Sequence, residues 1–385
     1  MKIKKDSMRK TVCFIALIGL VFAGTSQQTI TATITHDALQ REYILYVPAS
    51  YTGSSAVPLV FNFHGYTMNA TEQMWYGDFR SIADTANFII VHPNGTLDFT
   101  GTTHFNVGWG GSTVDDVGFA SALIDSISAD YNINSERVYS TGMSNGGFMS
   151  YHLACQLSSK IAAVASVTGS MSPATFNSCN PQHPTPILEI HGTADAVVSY
   201  NGDNFSKPII DVLDYWINHN NSNTTPTIIN VPDINTSDGS TVEHMLYYGG
   251  DNDVTVEHFK ITGGDHTWSG SGISQAGTNY DIDASVEIWK FFSKYDINGL
   301  IGGPTLIEGS VFDAEISIYP NPANTKVSIR SSSSKDMPYE LYSIQGRLIL
   351  SGVIKPLSRE IDLSNLPQNG YILKIGSRSF KVFKL

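Results

Sequence analysis

Gly142-Met143-Ser144-Asn145-Gly146, preceded by the strand-like run 137–141 and followed by helical apolar spacing through residue 157, is the stretch whose reading decides the fold. A serine flanked in this way at a strand-to-helix junction needs small neighbours, because the backbone turns sharply and strand and helix approach closely; Gly147 adds a further small position. Such a turn lifts the serine hydroxyl to the C-terminal edge of a sheet, with a helix N-terminus behind it that favours negative charge. Ser144 is the candidate nucleophile.

Outward from this turn, apolar runs at 58–63, 88–92, 162–168, 186–191 and 256–261 alternate with helical spacing at 71–86, 116–130, 146–157, 208–218 and 282–295. The alternation predicts an α/β fold, a largely parallel sheet with helices on both faces. Residues 41–47 alternate apolar and polar, so they are expected to start the sheet as an antiparallel hairpin strand. At the N-terminus, Lys2, Lys4, Lys5, Arg9 and Lys10 precede the apolar run 12–23, which reads as a signal peptide over 1–26. Residues 27–297 then form the α/β domain and 298–311 a Gly- and Pro-containing linker. Residues 312–385 carry short alternating strands with Pro320-Asn321-Pro322 and Asn369-Gly370 turns, and predict a small β-sandwich. No other segment approaches the ~20 apolar residues of a spanning helix, so no stable membrane insertion is expected after export.

Three cysteines agree with export. Cys13 falls in the signal segment, leaving Cys155 and Cys179 as an even pair for which a disulfide is expected, with two buried free thiols as the alternative. The net charge is −12, but residues 27–311 hold 8 basic and 28 acidic side chains, a balance of −20, while residues 312–385 carry 10 basic and 6 acidic ones. A catalytic region this acidic repels polyanions, which excludes nucleic acid as a partner and favours neutral polymers or small neutral esters.

A serine nucleophile needs an imidazole to take its proton and a carboxylate to hold that imidazole. Asp195, in His191-Gly192-Thr193-Ala194-Asp195 directly after the run 186–190, fits as the acid; Asp203 is the fallback and His191 reads as structural, with orienting the acid loop as its expected part. His266, in the Gly-containing loop after 256–261, fits as the base. For the oxyanion, the backbone N–H of Asn145 and that of Tyr66, after Phe61-Asn62-Phe63-His64-Gly65, are the expected donors. His64 is expected to pack or hydrogen-bond within its loop. With no H-E-x-x-H and no Cys–His cluster, no metal and no cofactor are expected. Trp109 and Trp268 are candidate substrate-cleft residues, with simple packing as the alternative. Asp115-Asp116 reads as a helix N-cap and Asp251-Asn252-Asp253 as a turn.

Taken together, Phe63-His64-Gly65, Val91 to Gly95, Gly108-Trp109-Gly110-Gly111, Val114 to Phe119, Gly142 to Gly147, His191 to Asp195 and Gly263 to Trp268 resemble the polyhydroxybutyrate depolymerase-like esterases, a group with feruloyl esterase-like and acetylxylan esterase-like members. The resemblance spans roughly residues 40–295 and implies the α/β-hydrolase fold, an exported carboxylic-ester hydrolase and the triad Ser144, Asp195 and His266. Asp265 departs from the pattern, which usually has Gly there. The tail, from Ile318-Tyr319-Pro320-Asn321-Pro322 through Gly346-Arg347 and Gly370-Tyr371 to Lys384, resembles the C-terminal sorting domain of type IX secretion substrates, which implies the secretion machinery as a partner and an extracellular or cell-surface address. Esters of neutral polymers, polyhydroxyalkanoate or feruloylated or acetylated xylan, are the expected substrates. A serine peptidase of the same fold and a catalytically inactive surface-binding protein are the rival readings, and a carbohydrate- or surface-binding module is the rival for the tail.

Overall fold

The computed structural model describes residues 27–302, 317–331, 337–343, 347–355, 359–375 and 378–384. The signal segment 1–26 and residues 303–311 of the expected linker lie outside the described residues. The chain divides into two compact units between Gly303 and Pro304.

In the first unit, β1 (Gln28–His36) and β2 (Leu39–Val47) pair antiparallel through a two-residue turn at Asp37 and Ala38, both at positive φ (49° and 59°), the mirror-image turn whose twist matches a tight hairpin. β3 (Val57–Phe63) is buried along its whole length, as befits an interior strand covered on both faces. The single helix expected over 71–86 is two: α1 (Ala70–Tyr76), started by an Asn69–Glu72 capping box, and α2 (Arg80–Ala86), with the chain turning at Gly77. After β4 (Ile89–Pro93), the short pair β5 (Thr96–Leu97) and β6 (Thr103–His104) leads into α3 (Asp116–Asp130), whose N-cap Asp115 accepts from Gly118 N–H, so that acid does cap the helix.

β7 (Ile133–Met143) feeds α4 (Asn145–Gln156), followed by β8 (Ala163–Val167), α5 (Pro173–Ser178), β9 (Ile187–Gly192) and α6 (Ile209–His219). β10 (Thr227–Asn230) and β11 (Thr241–Tyr247) come next, then β12 (Val256–Thr262) and α7 (Ala284–Phe292). β10 carried no legible signal because it is exposed at every residue and has no buried face to impose alternation. A closing hairpin joins β13 (Tyr295–Asp296) to β14 (Gly299–Leu300).

The sheet has ten strands in the order β1-β2-β4-β3-β7-β8-β9-β12-β11-β10, parallel from β4 to β12 and antiparallel at both ends. Leu59, Phe61 and Phe63 of β3 face a core shared with Phe119 and Leu123 of α3 and Trp216 of α6. Val60 faces the opposite core with Ala83 of α2 and Ile288 and Phe292 of α7. This is the architecture of an α/β-hydrolase, with every parallel strand ending at the same edge.

In the second unit the strands are β15 (Ser317–Tyr319), β16 (Lys326–Arg330), β17 (Met337–Ser343), β18 (Leu348–Ile354), β19 (Glu360–Asp362), β20 (Asn369–Ile375) and β21 (Arg378–Lys384). They form two antiparallel sheets, β15-β16-β19 and β18-β17-β20-β21, around Val327, Ile329, Leu341, Leu373 and Val382. Both sheets bury one face, the expected outcome of short alternating strands.

Candidate active site

Ser144 occupies the single residue between β7 and α4, at φ 53° and ψ −120°, a conformation that a side-chain-bearing residue adopts only where its surroundings enforce it. The enforcement is visible at the neighbouring glycines. A Cβ on Gly146 would lie 2.2 Å from the carbonyl oxygen of Phe63, and one on Gly142 would lie 2.6 Å from the backbone of Gly146, so β3, β7 and α4 touch through bare backbone. Ser144 N–H donates to Val167 O at 2.8 Å, which ties the turn to β8.

Asp195 follows β9 by three residues. Its Oδ1 accepts from the N–H groups of Val197 and Val198, both at 2.8 Å, and its Oδ2 lies 2.7 Å from His266 Nδ1. Burial would raise this carboxyl, but His191 and His266 outweigh it and hold Asp195 below the usual carboxylate range, so it is ionised. The acid and base loops are laced together. Thr193 N–H donates to Ile261 O and Ala194 N–H to Gly264 O, and a Cβ on Gly192 would collide with Gly264 O at 2.2 Å. The Asp265 side chain that departs from the expected glycine accepts from the N–H of His266 at 2.8 Å, adding a local tie to the base loop.

The loop after β3 runs beside Ser144, so that a Cβ added at Gly65 would meet the Ser144 Cβ at 3.5 Å. Burial lowers the His64 imidazole to about 4, so it is neutral near pH 7. Its Nε2 accepts from Gly95 N–H at 2.9 Å, which leaves Nδ1 as the protonated nitrogen donating to Gly65 O at 2.8 Å. Met68 N–H donates to the same oxygen at 3.1 Å. Because the peptide unit is planar, holding Gly65 C=O also sets the direction of the Tyr66 N–H. Among the described residues neither the Tyr66 N–H nor the Asn145 N–H has an acceptor, which suits donors kept for a developing oxyanion. The Asn145 side chain is occupied elsewhere, accepting from Phe105 N–H and donating to Phe105 O.

Two clefts meet at Ser144. One, of about 610 Å³, contains His266 and is lined by Met68, Thr71, Glu72, Trp75 and Gln275. The other, of about 630 Å³, is lined by Phe99, His104, Trp109, Phe148 and Phe205, and Tyr66 borders both. Trp109 donates from Nε1 to Phe205 O at 3.0 Å, bracing the second cleft's rim, and lines that cleft. Trp268 does not. It is 1% exposed, packs edge-on to Phe79 and donates from Nε1 to Ser285, because its apolar surface completes the core under α7. Asp203, the fallback acid, uses Oδ1 to cap its own loop at Phe205 and Ser206. Cys155 and Cys179 are joined as a disulfide between the end of α4 and the residue after α5.

Sequence reasoning passed over Glu189 and Tyr151, which lie behind the acid loop. The signal was there: a lone carboxylate inside the fully buried strand Ile-Leu-Glu-Ile-His-Gly, where an unpaired charge is not tolerated.

Residues 116–225 match the phospholipase/carboxylesterase family and residues 317–384 the secretion system C-terminal sorting domain. Among curated proteins, the chain is 28% identical over 276 residues to a bifunctional acetylxylan esterase/xylanase of Neocallimastix patriciarum, covering 67% of this chain and 34% of that one. It is 34% identical over 171 residues to a probable feruloyl esterase C of Aspergillus clavatus, covering 42% and 57% of the two chains. The chain thus spans less than two thirds of the length of either relative. A solved acetyl xylan esterase from Aspergillus awamori covers 70% of this chain and is covered to 99% itself, at 12% identity and a TM-score of 0.47.

Proposed function

We propose that the chain is an exported serine ester hydrolase working through an acyl-enzyme, with Ser144 as nucleophile, His266 as general base and Asp195 as the orienting carboxylate. The observation that carries the reading is that Ser144, strained at the sheet edge, opens into the same cleft as His266, whose Nδ1 is 2.7 Å from a buried, ionised Asp195. In this reading Ser144 Oγ attacks the ester carbonyl and its proton passes to His266 Nε2, while Asp195 keeps the imidazole oriented through Nδ1–H. The oxyanion takes hydrogen bonds from the N–H groups of Tyr66 and Asn145. Collapse expels the alcohol, protonated by His266, which then activates water to free the acid. No step calls for a cofactor.

The relatives' names support a carbohydrate ester, feruloylated or acetylated xylan, ahead of a polyhydroxyalkanoate. His266 has to reach the leaving oxygen, so the alcohol belongs in its cleft, where Thr71, Glu72 and Gln275 offer hydrogen bonds and the half-exposed Trp75 offers a stacking face. The acyl group then belongs in the cleft rimmed by Phe99, Trp109 and Phe205, whose volume and aromatic walls suit a planar aromatic acid better than acetyl. Export through the type IX route is the reading of the sorting-domain match, with 1–26 as the signal that precedes it.

The purified chain is expected to turn over p-nitrophenyl acetate and methyl ferulate, and its Ser144→Ala variant neither; equal rates in the two proteins would sink the esterase reading. Phe205→Ala should lower kcat/KM for methyl ferulate about 10-fold and leave that for the acetate nearly unchanged. Equal losses on both esters would remove the acyl assignment while sparing the reaction class.

A further inference from the structure

We propose that Glu189 and His191 are positioning residues of this centre, a buried carboxylate–imidazole pair that clamps the Asp195 loop and fastens it to the nucleophile helix. The inference rests on the ester-hydrolase reading above and extends it to residues that touch no substrate.

Both side chains are wholly buried on β9. His191 Nδ1 lies 2.9 Å from Glu189 Oε1, and its Nε2 lies 2.9 Å from Val198 O and 3.4 Å from Asp195 Oδ2. A carbonyl oxygen accepts only, so the Nε2 must carry a proton. That N–H reaches the far end of the acid loop at Val198, whose own N–H, with that of Val197, binds the other oxygen of Asp195. One imidazole therefore grips the loop at Val198 and flanks the Asp195 oxygen that serves His266. On the other side, Glu189 Oε2 accepts from Tyr151 OH at 2.8 Å, and Tyr151 stands on α4, two helical turns beyond Ser144. A continuous chain of contacts runs from the nucleophile helix through Tyr151, Glu189, His191 and Asp195 to His266.

Burying such a pair for stability alone is poor economy, since apolar replacements of buried ion pairs are often neutral or stabilising. Burial opposes protonation of His191, but the hydrogen bonds and charges of Asp195 and Glu189 outweigh it and push the imidazole up to about 9. It is a cation near pH 7. The other groups facing it are uncharged there: Tyr151 from α4, the Tyr200 ring at 5.9 Å, and His258 from β12, which donates from Nδ1 to Glu189 O, accepts at Nε2 from Tyr200 OH, and is pulled down to about 3 by burial. The cation thus shares the charge of Asp195 with His266. Removing it leaves that charge to His266 alone.

The test uses the full chain and p-nitrophenyl acetate. His191→Gln and Glu189→Gln are expected to lower kcat by about 10- to 100-fold with KM within about threefold, because misplacing a catalytic group costs turnover rather than ground-state binding. The acid limb of the kcat/KM profile should move to higher pH in His191→Gln, a change that lost stability alone does not produce. Tyr151→Phe, which removes one outer hydrogen bond and keeps the pair, should lose much less. In the unsubstituted protein, imidazole nitrogen NMR is expected to find His191 protonated on Nε2 and not titrating between pH 5 and 8. A His191 that titrates in that range overturns the proposal even if no variant folds, and so do folded variants with wild-type kcat and an unmoved acid limb. Absence of ester turnover in the unsubstituted chain would instead overturn the ester-hydrolase reading, with the NMR result still deciding the clamp.

Discussion

In the mechanism proposed above, His64 is a residue that meets no substrate and still bears on the chemistry. Its proton is assigned by its neighbours, Gly95 N–H on one nitrogen and Gly65 O on the other, and the consequence appears at the Tyr66 N–H. Replacing it by leucine removes the donor to Gly65 O and frees the peptide unit to rock. We expect His64→Leu to lower kcat about 10-fold or more while KM stays within about twofold, since losing an oxyanion donor outright typically costs about 3 kcal/mol of barrier. Initial-rate kinetics on p-nitrophenyl acetate decide it, and an unchanged kcat means that Met68 N–H alone holds Gly65. At this scale Ser144, Asp195 and His266 could be proposed from sequence because each lies within a few residues of the end of a strand-like run. For Trp268 the packing alternative is what the structure shows, for a physical reason: proximity in sequence to His266 says nothing about which way an indole turns, and here it turns into the core.

At the level of elements, the strands carry imidazoles that must remain neutral. His92 on β4 and His258 on β12 are fully buried, and burial pulls each down to about 3. In the unfolded chain they take up protons below about pH 6.5, whereas the folded state resists until near pH 3. Their contribution to stability is complete above pH 6.5 and drains as the pH falls toward 3. His191 has the opposite sign: its raised value makes its contribution complete below about pH 6.5 and lost as the pH climbs through about 9. Stability should therefore peak near neutrality, with a loss of several kcal/mol between pH 7 and pH 4.5 from the two neutral histidines. Urea unfolding at the two pH values measures it; coincident midpoints would contradict the argument. Helix and strand periods announced most of the parallel sheet, but not the break at Gly77 or the exposed strand β10, where local caps and an unburied edge replace periodicity as the determining feature.

Across the whole molecule, the acidic balance of −20 over residues 27–311 is expected to repel anionic molecules and leave neutral ones unaffected. Raising NaCl from about 10 to about 200 mM should leave kcat/KM for a neutral ester almost flat and increase it for an ester bearing a free carboxylate, because added salt screens the repulsion. Equal salt responses would show that the field does not reach the site. The sequence by itself determined the α/β class, the serine turn and the candidate acid and base, because glycine spacing, hydrophobic period and chain order are local properties that survive without coordinates. Only the tertiary structure decided that Glu189 and Tyr151 stand behind Asp195, that Trp109 lines a cleft while Trp268 fills a core, and that two clefts meet at Ser144. Those relations join residues far apart in the chain, and packing alone chooses their partners.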